Sequence, residues 1–220
     1  MSAFSMYTSY LKKFDRVKGR IFTAHNAIPL TGLASKDAPT TYIATAACLS
    51  MFNTALHSDA GGTNVTVVPM FVTLKATAVN TSASNFQMVG HLDQGDRFTS
   101  GGSVLAPQAT HMDTDTGSST FANITPKCRV NAGLLLMTAV TAADEDVFRA
   151  HLSNNILAVD DKLVIEFGEG ASSADQHAIV SPVTIGPGCT LVFHDVAAAQ
   201  AADPAFEYSV TWAEFHHPVS

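Results

Sequence analysis

Charged side chains are scarce in this sequence of 220 residues. Lys, Arg, Asp and Glu together make up 14% of it, whereas hydrophobic residues make up 46%. A soluble domain usually has about 25% charged residues. The apolar content is enough to bury one full core, and β-sandwiches of this length are commonly single domains. So few charges suit either a surface covered by partner proteins or an ordinary sheet protein with a Ser- and Thr-rich exterior.

Cysteine is also scarce. Cys48, Cys128 and Cys189 form no CxxC pair and have no histidine at metal-ligand spacing. This pattern excludes a disulfide framework and a finger-type zinc site. Each cysteine lies in an apolar run, so we expect all three to be small core residues of a protein that folds in a reducing cytoplasm.

Long apolar runs are missing. The N-terminus has no uninterrupted apolar segment, so we expect no signal peptide. No run approaches the roughly 20 residues that a membrane-spanning helix needs. The sequons at Asn64, Asn80 and Asn123 therefore have no secretory context, and we expect no contact with a membrane.

Motifs of catalysis and cofactor binding are absent as well. The sequence contains no GxSxG, no P-loop and no GxGxxG. Its nine histidines include no HxH pair, the spacing that a cupin-type metal site requires. The adjacent His216 and His217 would point to opposite faces of a strand and could not chelate one ion. We therefore predict that the protein is not an enzyme and has no catalytic, cofactor-binding or metal-binding residues.

Two kinds of acidic cluster have ordinary explanations. Asp113–Gly117 resembles the start of a calcium loop, but the next oxygen ligand and the distal Glu are missing. Asp93 with Asp96, and the acids of Asp144–Asp146, have the proximity of acid–base pairs. A turn explains Asp93 with Asp96, and a helix cap explains Asp144–Asp146, so neither group is assigned a chemical role.

Charge is distributed unevenly along the chain. Residues 1–20 hold five basic side chains and one acidic side chain, while the remaining 200 residues hold 7 basic and 18 acidic ones. A basic arm on an acidic body can dock on an acidic neighbour or on its own body. Binding to nucleic acid is disfavoured because the body would repel phosphates.

The N-terminal arm also has an apolar pattern. Phe4, Tyr7, Leu11 and Phe14 recur at a spacing of three to four and would line one stripe of a helix. The stripe can pack on the chain's own body or on a neighbour. We predict that residues 1–40 form an arm and a lead-in segment, because Pro and Gly residues oppose a long element before residue 40.

The C-terminal stretch Ile179–Phe215 gives the clearest fold signal. Its last strand alternates between apolar and polar residues. The predicted core face consists of Phe206, Tyr208, Val210 and Trp212, and the polar face consists of Glu207, Ser209 and Thr211. Gly186-Pro187-Gly188 predicts a type II turn, with Pro at the second position and Gly at the third. The turn would join Ile179–Ile185 and Cys189–Val196 as a closing hairpin.

Similar patterns predict further strands: Thr41–Phe52, Val65–Val79, Phe86–Leu92, Phe121–Val130, Gly133–Val140 and Lys162–Phe167. Thr41–Phe52 is apolar at both parities, so we expect both of its faces to be covered, one by the core and one by another layer or subunit. Asp93–Thr120 has no periodicity and predicts a long loop of functional or mobile type. Thr141 and the acids after it predict a short helix that ends near Leu152.

These elements predict an all-β fold. The expected architecture is a jelly-roll-like antiparallel two-sheet sandwich with one short helix and an N-terminal arm. Residues 41–220 are predicted to form this single sandwich domain.

Two blocks carry a resemblance to a known class of proteins. One is Asn85–Pro107 (NFQMVGHLDQGDRFTSGGSVLAP), and the other is SPVTIGPGCTLVFHDV followed by FEYSVTWAEF. Together they resemble accessory virion proteins of tailed bacteriophages, in particular jelly-roll proteins that decorate the capsid or build head fibres. The resemblance brings no binding residues with it, and the basic arm departs from the pattern.

The resemblance implies a non-enzymatic virion structural protein that self-associates and decorates or stabilises the capsid, or forms a head fibre. The implied partners are copies of itself, as a homotrimer, and other virion proteins such as the major capsid protein. The implied location is the virion, assembled in the host cytoplasm. An alternative is a carbohydrate-binding or host-adhesion module of a phage particle, in which Phe98 would be the aromatic platform and Trp212 would remain a core residue.

Overall fold

A computed structural model describes residues 20–35, 42–56, 65–78, 87–109, 125–139, 146–151, 158–168, 177–196 and 204–216. Within these residues the chain forms strands and no helix. The strands are β1 (Arg20–His25), β2 (Leu33–Ala34), β3 (Ala46–Asn53), β4 (Val65–Ala78), β5 (Gln87–Gln94), β6 (Phe98–Leu105), β7 (Pro107–Ala109), β8 (Cys128–Met137), β9 (Asp146–His151), β10 (Lys162–Phe167), β11 (His177–Val180), β12 (Cys189–Val196) and β13 (Ala205–His216).

The strands form two sheets. Sheet A has the order β11-β10-β4-β13-β1-β7, with β2 also paired to β13, and sheet B has the order β6-β8-β3-β12-β5-β9. Apolar side chains from both sheets form one large buried cluster. The protein is therefore an all-β two-sheet sandwich, as the sequence predicts. Among the described strands, β11 is the exception to the predicted antiparallel order, because it runs parallel to β10.

β13 lies at the centre of sheet A and pairs with β4 along nearly its whole length. All four residues of its predicted core face are at most 1% exposed: Phe206, Tyr208, Val210 and Trp212. The ring of Trp212 stacks on Phe22 of β1, with 5.7 Å between the ring centroids. The alternation in the sequence therefore identifies the inward face correctly, and Trp212 is a core residue.

Strands also form within the predicted lead-in segment. Arg20–His25 pairs with β13, and Leu33–Ala34 pairs with β13 one step further along. The buried side chain of Asn26 fills the gap between these two pairings. Its amide nitrogen donates to the Thr31 carbonyl (2.8 Å), and its oxygen accepts from the Tyr208 N–H (2.8 Å). Residues 1–19, which hold the predicted apolar stripe, lie outside the described residues.

Several predicted strands are confirmed, with one change in number. β4, β5 and β10 correspond to the predicted segments Val65–Val79, Phe86–Leu92 and Lys162–Phe167. In contrast, the two strands predicted as Phe121–Val130 and Gly133–Val140 are one continuous strand, β8. Gly133 lies within β8 with φ of +100°, a conformation that favours glycine. Because glycine is rare within strands, the sequence pattern places a strand boundary there.

The helix predicted from Thr141 to Leu152 is wrong for its described part. Asp146–His151 forms β9 and pairs antiparallel with β5. Phe148 and Ala150 are buried, while Arg149 between them is exposed, which is the alternation of a half-buried strand. Pairing along the edge of sheet B therefore overrides the acidic cap signal, as tertiary contacts often do. The residues before Asp146 lie outside the described part of the chain.

The loop predicted over Asp93–Thr120 is also wrong in its first half. β6 pairs with β8 at the edge of sheet B, and β7 pairs with β1 at the edge of sheet A. The six residues 99–104 of β6 are exposed on both faces, so their sequence needs no apolar alternation. Backbone pairing holds the strand in place, and residues 110–120 lie outside the described residues.

The turn at Gly186-Pro187-Gly188 has the predicted type but a different role. The Cys189 N–H donates to the Gly186 carbonyl (3.1 Å), and Gly188 has φ of +73°, as a type II turn requires. However, the segments on either side belong to different sheets, because β11 lies in sheet A and β12 lies in sheet B. The predicted closing hairpin is therefore wrong. The turn instead carries the chain from Ile185, which bridges to Val67, across to the other sheet.

Candidate functional site on the outer face of sheet B

Sheet B buries side chains on the face that points away from the core as well as on its core face. Along β12, Leu191 and Phe193 belong to the main core, so the residues alternating with them point outward. These outward residues are nevertheless at most 1% exposed: Thr190, Val192 and His194. We call this surface the outer face of sheet B.

An apolar cluster covers one part of this outer face. Ala47 of β3 packs with Leu135, Met137 and Val192, and Ala44 and Phe98 pack against them. Leu49 and Met51 of β3 instead lie in the main core. Both faces of β3 are therefore buried, as its sequence predicts, and the second face is covered by residues of the same chain.

A cluster of three rings lies beside the apolar residues. The ring centroids of Tyr42, His91 and His194 are 4.8 to 5.2 Å apart. The His194 Nδ1 lies 2.7 Å from the Ala46 carbonyl oxygen, and the Tyr42 hydroxyl lies 3.4 Å from the His194 Nε2. A carbonyl only accepts, so Nδ1 carries a proton, and in the neutral imidazole Nε2 accepts from the Tyr42 hydroxyl. Tyr42 remains 38% exposed, so its ring is the accessible part of the cluster.

Asp93 follows His91 on the same face of β5 and is paired with Arg97. The Arg97 Nε lies 2.6 Å from Asp93 Oδ2, and its second guanidinium nitrogen donates to Oδ1 (2.8 Å). The Gln94 N–H also donates to Asp93 Oδ1 (2.6 Å). This two-point contact between carboxylate and guanidinium fixes the turn between β5 and β6.

Arg129 of β8 forms the other charged contact of this face. Its guanidinium carbon lies 5.1 Å from the ring centroid of Phe52 and 5.2 Å from that of Phe98, within the range of a cation–π contact. One of its terminal nitrogens donates to both Asp96 oxygens at 2.7 and 2.8 Å, and its Nε donates to Asn131 at 3.0 Å. Arg129 therefore ties β3, β6 and β8 together.

These contacts determine what the outer face can do. Asp93 and Asp96, which have the proximity of an acid–base pair, are each held by their own arginine. Phe98, the aromatic platform of the adhesion alternative, is half-buried and lies under the Arg129 guanidinium. The outer face therefore carries aromatic, charged and amide groups that are largely in contact with one another, and the Tyr42 ring is the exposed part of its ring cluster.

A second polar cluster lies inside the sandwich. The Ser35 hydroxyl donates to Asp195 Oδ2, and the Cys48 thiol lies 3.3 Å from the Phe193 carbonyl oxygen. Burial, followed by the nearby charge of Asp195, raises the pKa of the Cys48 thiol well above its usual value. The thiol therefore stays protonated and is not an activated nucleophile. Burial likewise raises the pKa of the neighbouring Tyr208.

The cysteines otherwise follow the prediction. Cys48 and Cys128 are buried in the main core, and Cys189 is half-buried and packs against it. Burial raises the pKa of all three thiols.

The structure brings two of the nine histidines together, among the side chains that it describes. These are His91 and His194; His25 is exposed, and the His177 Nε2 lies 3.1 Å from Glu166 Oε2. The described residues contain no group of three metal-ligating side chains. Several sequence candidates lie outside the described residues: His57, His111, His217, the Asp113–Gly117 segment, the acids Asp144 and Glu145, and the three sequons. The side chains of Asp146, His151 and His216 are also outside them.

We expect the Arg129→Lys variant to lose about 1 to 2 kcal/mol of unfolding free energy. A lysine keeps the charge but cannot stack between two rings and donate to Asp96 and Asn131 at once. Arg149→Lys is the matched control, because Arg149 is exposed on the edge strand β9 of the same sheet, and it should change stability by less than about 0.5 kcal/mol. Equal losses in the two variants, measured by urea unfolding, would contradict the role given to Arg129.

No family model and no curated protein sequence matches this chain. Among the residues that the structure describes, none belongs to a helix that is long and apolar enough to cross a membrane. The described residues form an all-β sandwich of two sheets.

Proposed function

We propose that the chain is a jelly-roll structural protein of a bacteriophage virion. It is non-enzymatic, associates with copies of itself as a homotrimer, and decorates or stabilises the capsid or forms a head fibre. Its other partner is a virion protein such as the major capsid protein, and its location is the assembled particle.

The observation that carries this proposal is the order of eight strands. Sheet A contains the run β1-β13-β4-β10, and sheet B contains the run β3-β12-β5-β9. Along the chain these eight strands alternate between the sheets, except for the step from β5 to β9. A jelly roll is a pair of such four-stranded sheets built from two Greek keys, an architecture common in viral capsid domains and lectins. On this proposal β2 continues the position of β1 beside β13, and β6, β7, β8 and β11 are additions at the sheet edges.

The positions of the two resembling blocks also support the proposal. The block Asn85–Pro107 supplies β5, the Asp93–Arg97 turn and β6, and the C-terminal block supplies the type II turn, β12 and β13. Both blocks therefore include strands of the eight-strand order. The low overall charge fits a protein that presents surfaces to neighbouring subunits.

A second candidate function is carbohydrate binding during host adhesion. The partly exposed Tyr42 ring beside two imidazoles on the outer face of sheet B favours it, because exposed aromatic rings among polar groups are suited to stack on sugars. Phe98, by contrast, has Arg129 over its ring. If the chain binds glycans, we expect Tyr42→Ala to abolish the signal on a glycan array and Phe98→Ala to weaken it through loss of the Arg129 contact.

Light scattering on the purified full chain tests self-association. We expect a mass of about 70 kDa, three times the 23.2 kDa of one chain, that persists when the protein is diluted to micromolar concentration. A monomer that binds glycans would support adhesion instead. A monomer that binds no glycan would contradict both candidate functions.

A further inference from the structure

Sheet A has an apolar patch on the face that points away from the core. The patch consists of the residues of one small cluster, separate from the main core: Ile21, Val68, Met70, Phe71, Ala213 and Phe215. We call it the outer apolar patch. It spans three adjacent strands, β1, β13 and β4.

The register of the strands fixes the orientation of this patch. Ile21 of β1 lies opposite Ala213 of β13, and Ala213 lies opposite Val68 of β4. The next pair, Phe22 and Trp212, points into the main core. Because successive residues of a strand point to opposite faces, the row that contains Ala213 points outward.

The rest of the same face is polar. Beyond the patch, β4 and β13 present half-buried Thr73, Lys75, Ser209 and Glu207 outward. Within the patch, Val68 and Met70 are 8% and 7% exposed, and Ala213 is 1% exposed. Ile21, Phe71 and Phe215 are half-buried and leave apolar surface at the margin of this otherwise polar face, and contiguous apolar surface of this kind marks sites of contact. The patch is therefore a local docking surface at one end of sheet A.

We propose that the outer apolar patch is the docking site of residues 1–19 of the same chain. Residue 19 is followed by Arg20, the first residue of β1, and Ile21 of the patch comes directly after it. The N-terminal segment therefore begins its course within one or two residues of the patch. Its tether gives it a far higher effective concentration there than any free partner has.

The composition of the segment matches the surface. Its apolar residues Phe4, Tyr7, Leu11 and Phe14 recur at the spacing that predicts one helical stripe, and Lys12 and Lys13 fall outside that spacing. Residues 1–20 hold five basic side chains and one acidic one, whereas the remaining chain holds 7 basic and 18 acidic ones. Apolar contact and attraction to an acidic body therefore act in the same direction. This inference stands independently of the proposed virion function.

Methyl NMR of methionine tests the proposal, because Met70 lies in the patch while Met51 and Met88 lie in the main core. The full chain is labelled at its methionine methyl groups, and the Met70 resonance is assigned with Met70→Leu. We expect the Met70 resonance to move by more than its line width in the double variant Leu11→Ser/Phe14→Ser and after deletion of residues 1–19. The Met51 and Met88 resonances should stay in place, because both methyl groups are remote from the patch.

The matched control is Lys12→Ser/Lys13→Ser, which alters the same segment off its apolar stripe and should leave the Met70 resonance unchanged. If the deletion also moves Met51 and Met88, the fold has changed and the double serine variant decides. An unchanged Met70 resonance in that variant would overturn the proposal. A Met70 shift that depends on protein concentration would also overturn it, since the docked segment would then come from a second copy.

Discussion

The Trp212→Ala variant should lose about 3 to 5 kcal/mol of unfolding free energy, the usual cost of removing a large aromatic side chain from a core. Trp212 is 0% exposed, stacks on Phe22, and donates from its Nε1 to Glu214 at 3.1 Å. The variant loses the buried apolar area and the hydrogen bond together. It also leaves a cavity between the sheets that the rigid β1–β13–β4 framework cannot close.

Two control variants show whether this loss is specific to the core. The unfolding free energies of all three variants are measured with urea at one fixed protein concentration, because self-association would add to stability. Trp212→Phe keeps a ring in the core and should lose less. Leu136→Ala removes a side chain that is 52% exposed on β8 and should change stability by less than about 0.5 kcal/mol. If Trp212→Ala lost no more than Leu136→Ala, the inward face of β13 would be assigned incorrectly.

The Glu214→Ala variant should lose about 3 kcal/mol or more of unfolding free energy, although burying a carboxylate is itself costly. Glu214 is 0% exposed, and its carboxylate accepts from the backbone N–H groups of Lys127 and Cys128 and from Trp212. Leaving a buried donor without an acceptor costs about 1 to 3 kcal/mol for each group. The carboxylate thus ties the start of β8 in sheet B to β13 in sheet A.

The matched control for Glu214 lies on the same strand. Glu207→Ala removes an outward carboxylate that accepts from the exposed Leu30 N–H at 3.3 Å and lies opposite Lys75 of β4, and we expect a change within about 0.5 kcal/mol of unfolding free energy. Glu214→Gln retains one acceptor oxygen, so its loss of unfolding free energy should fall between those of Glu214→Ala and Glu207→Ala. A loss at Glu207 equal to that at Glu214 would mean that charge in general, rather than the bridge between sheets, stabilises the fold.

The sequence predicts those strands that alternate or are apolar throughout. Phe206 to Trp212 shows one face of β13, and Leu163, Ile165 and Phe167 show one face of β10, because burial on one side of a sheet imposes a period of two. β6 is invisible to the same method, since both of its faces are exposed. β9 is hidden by acidic residues that resemble a helix start, and only its pairing with β5 distinguishes it.

The candidate site is less predictable than the fold. Tyr42, His91 and His194 come from three separate segments, and only the register of β5 against β12 places the two histidines next to each other. The Asp93–Arg97 pair is local and was open to prediction as a turn. Glu214 and Asp195 offer one signal, a carboxylate within a buried strand. Their respective partners, Cys128 at the start of β8 and Ser35 directly after β2, follow only from the packing of the two sheets.

The most direct test of the proposed role is peptide mapping of phage particles purified on a density gradient from the host that carries this gene. The account predicts that the chain sediments with the major capsid protein at a fixed copy number per particle and resists removal by washing. Recovery of the chain only in the soluble fraction of the lysed host, with none in the particles, would contradict it.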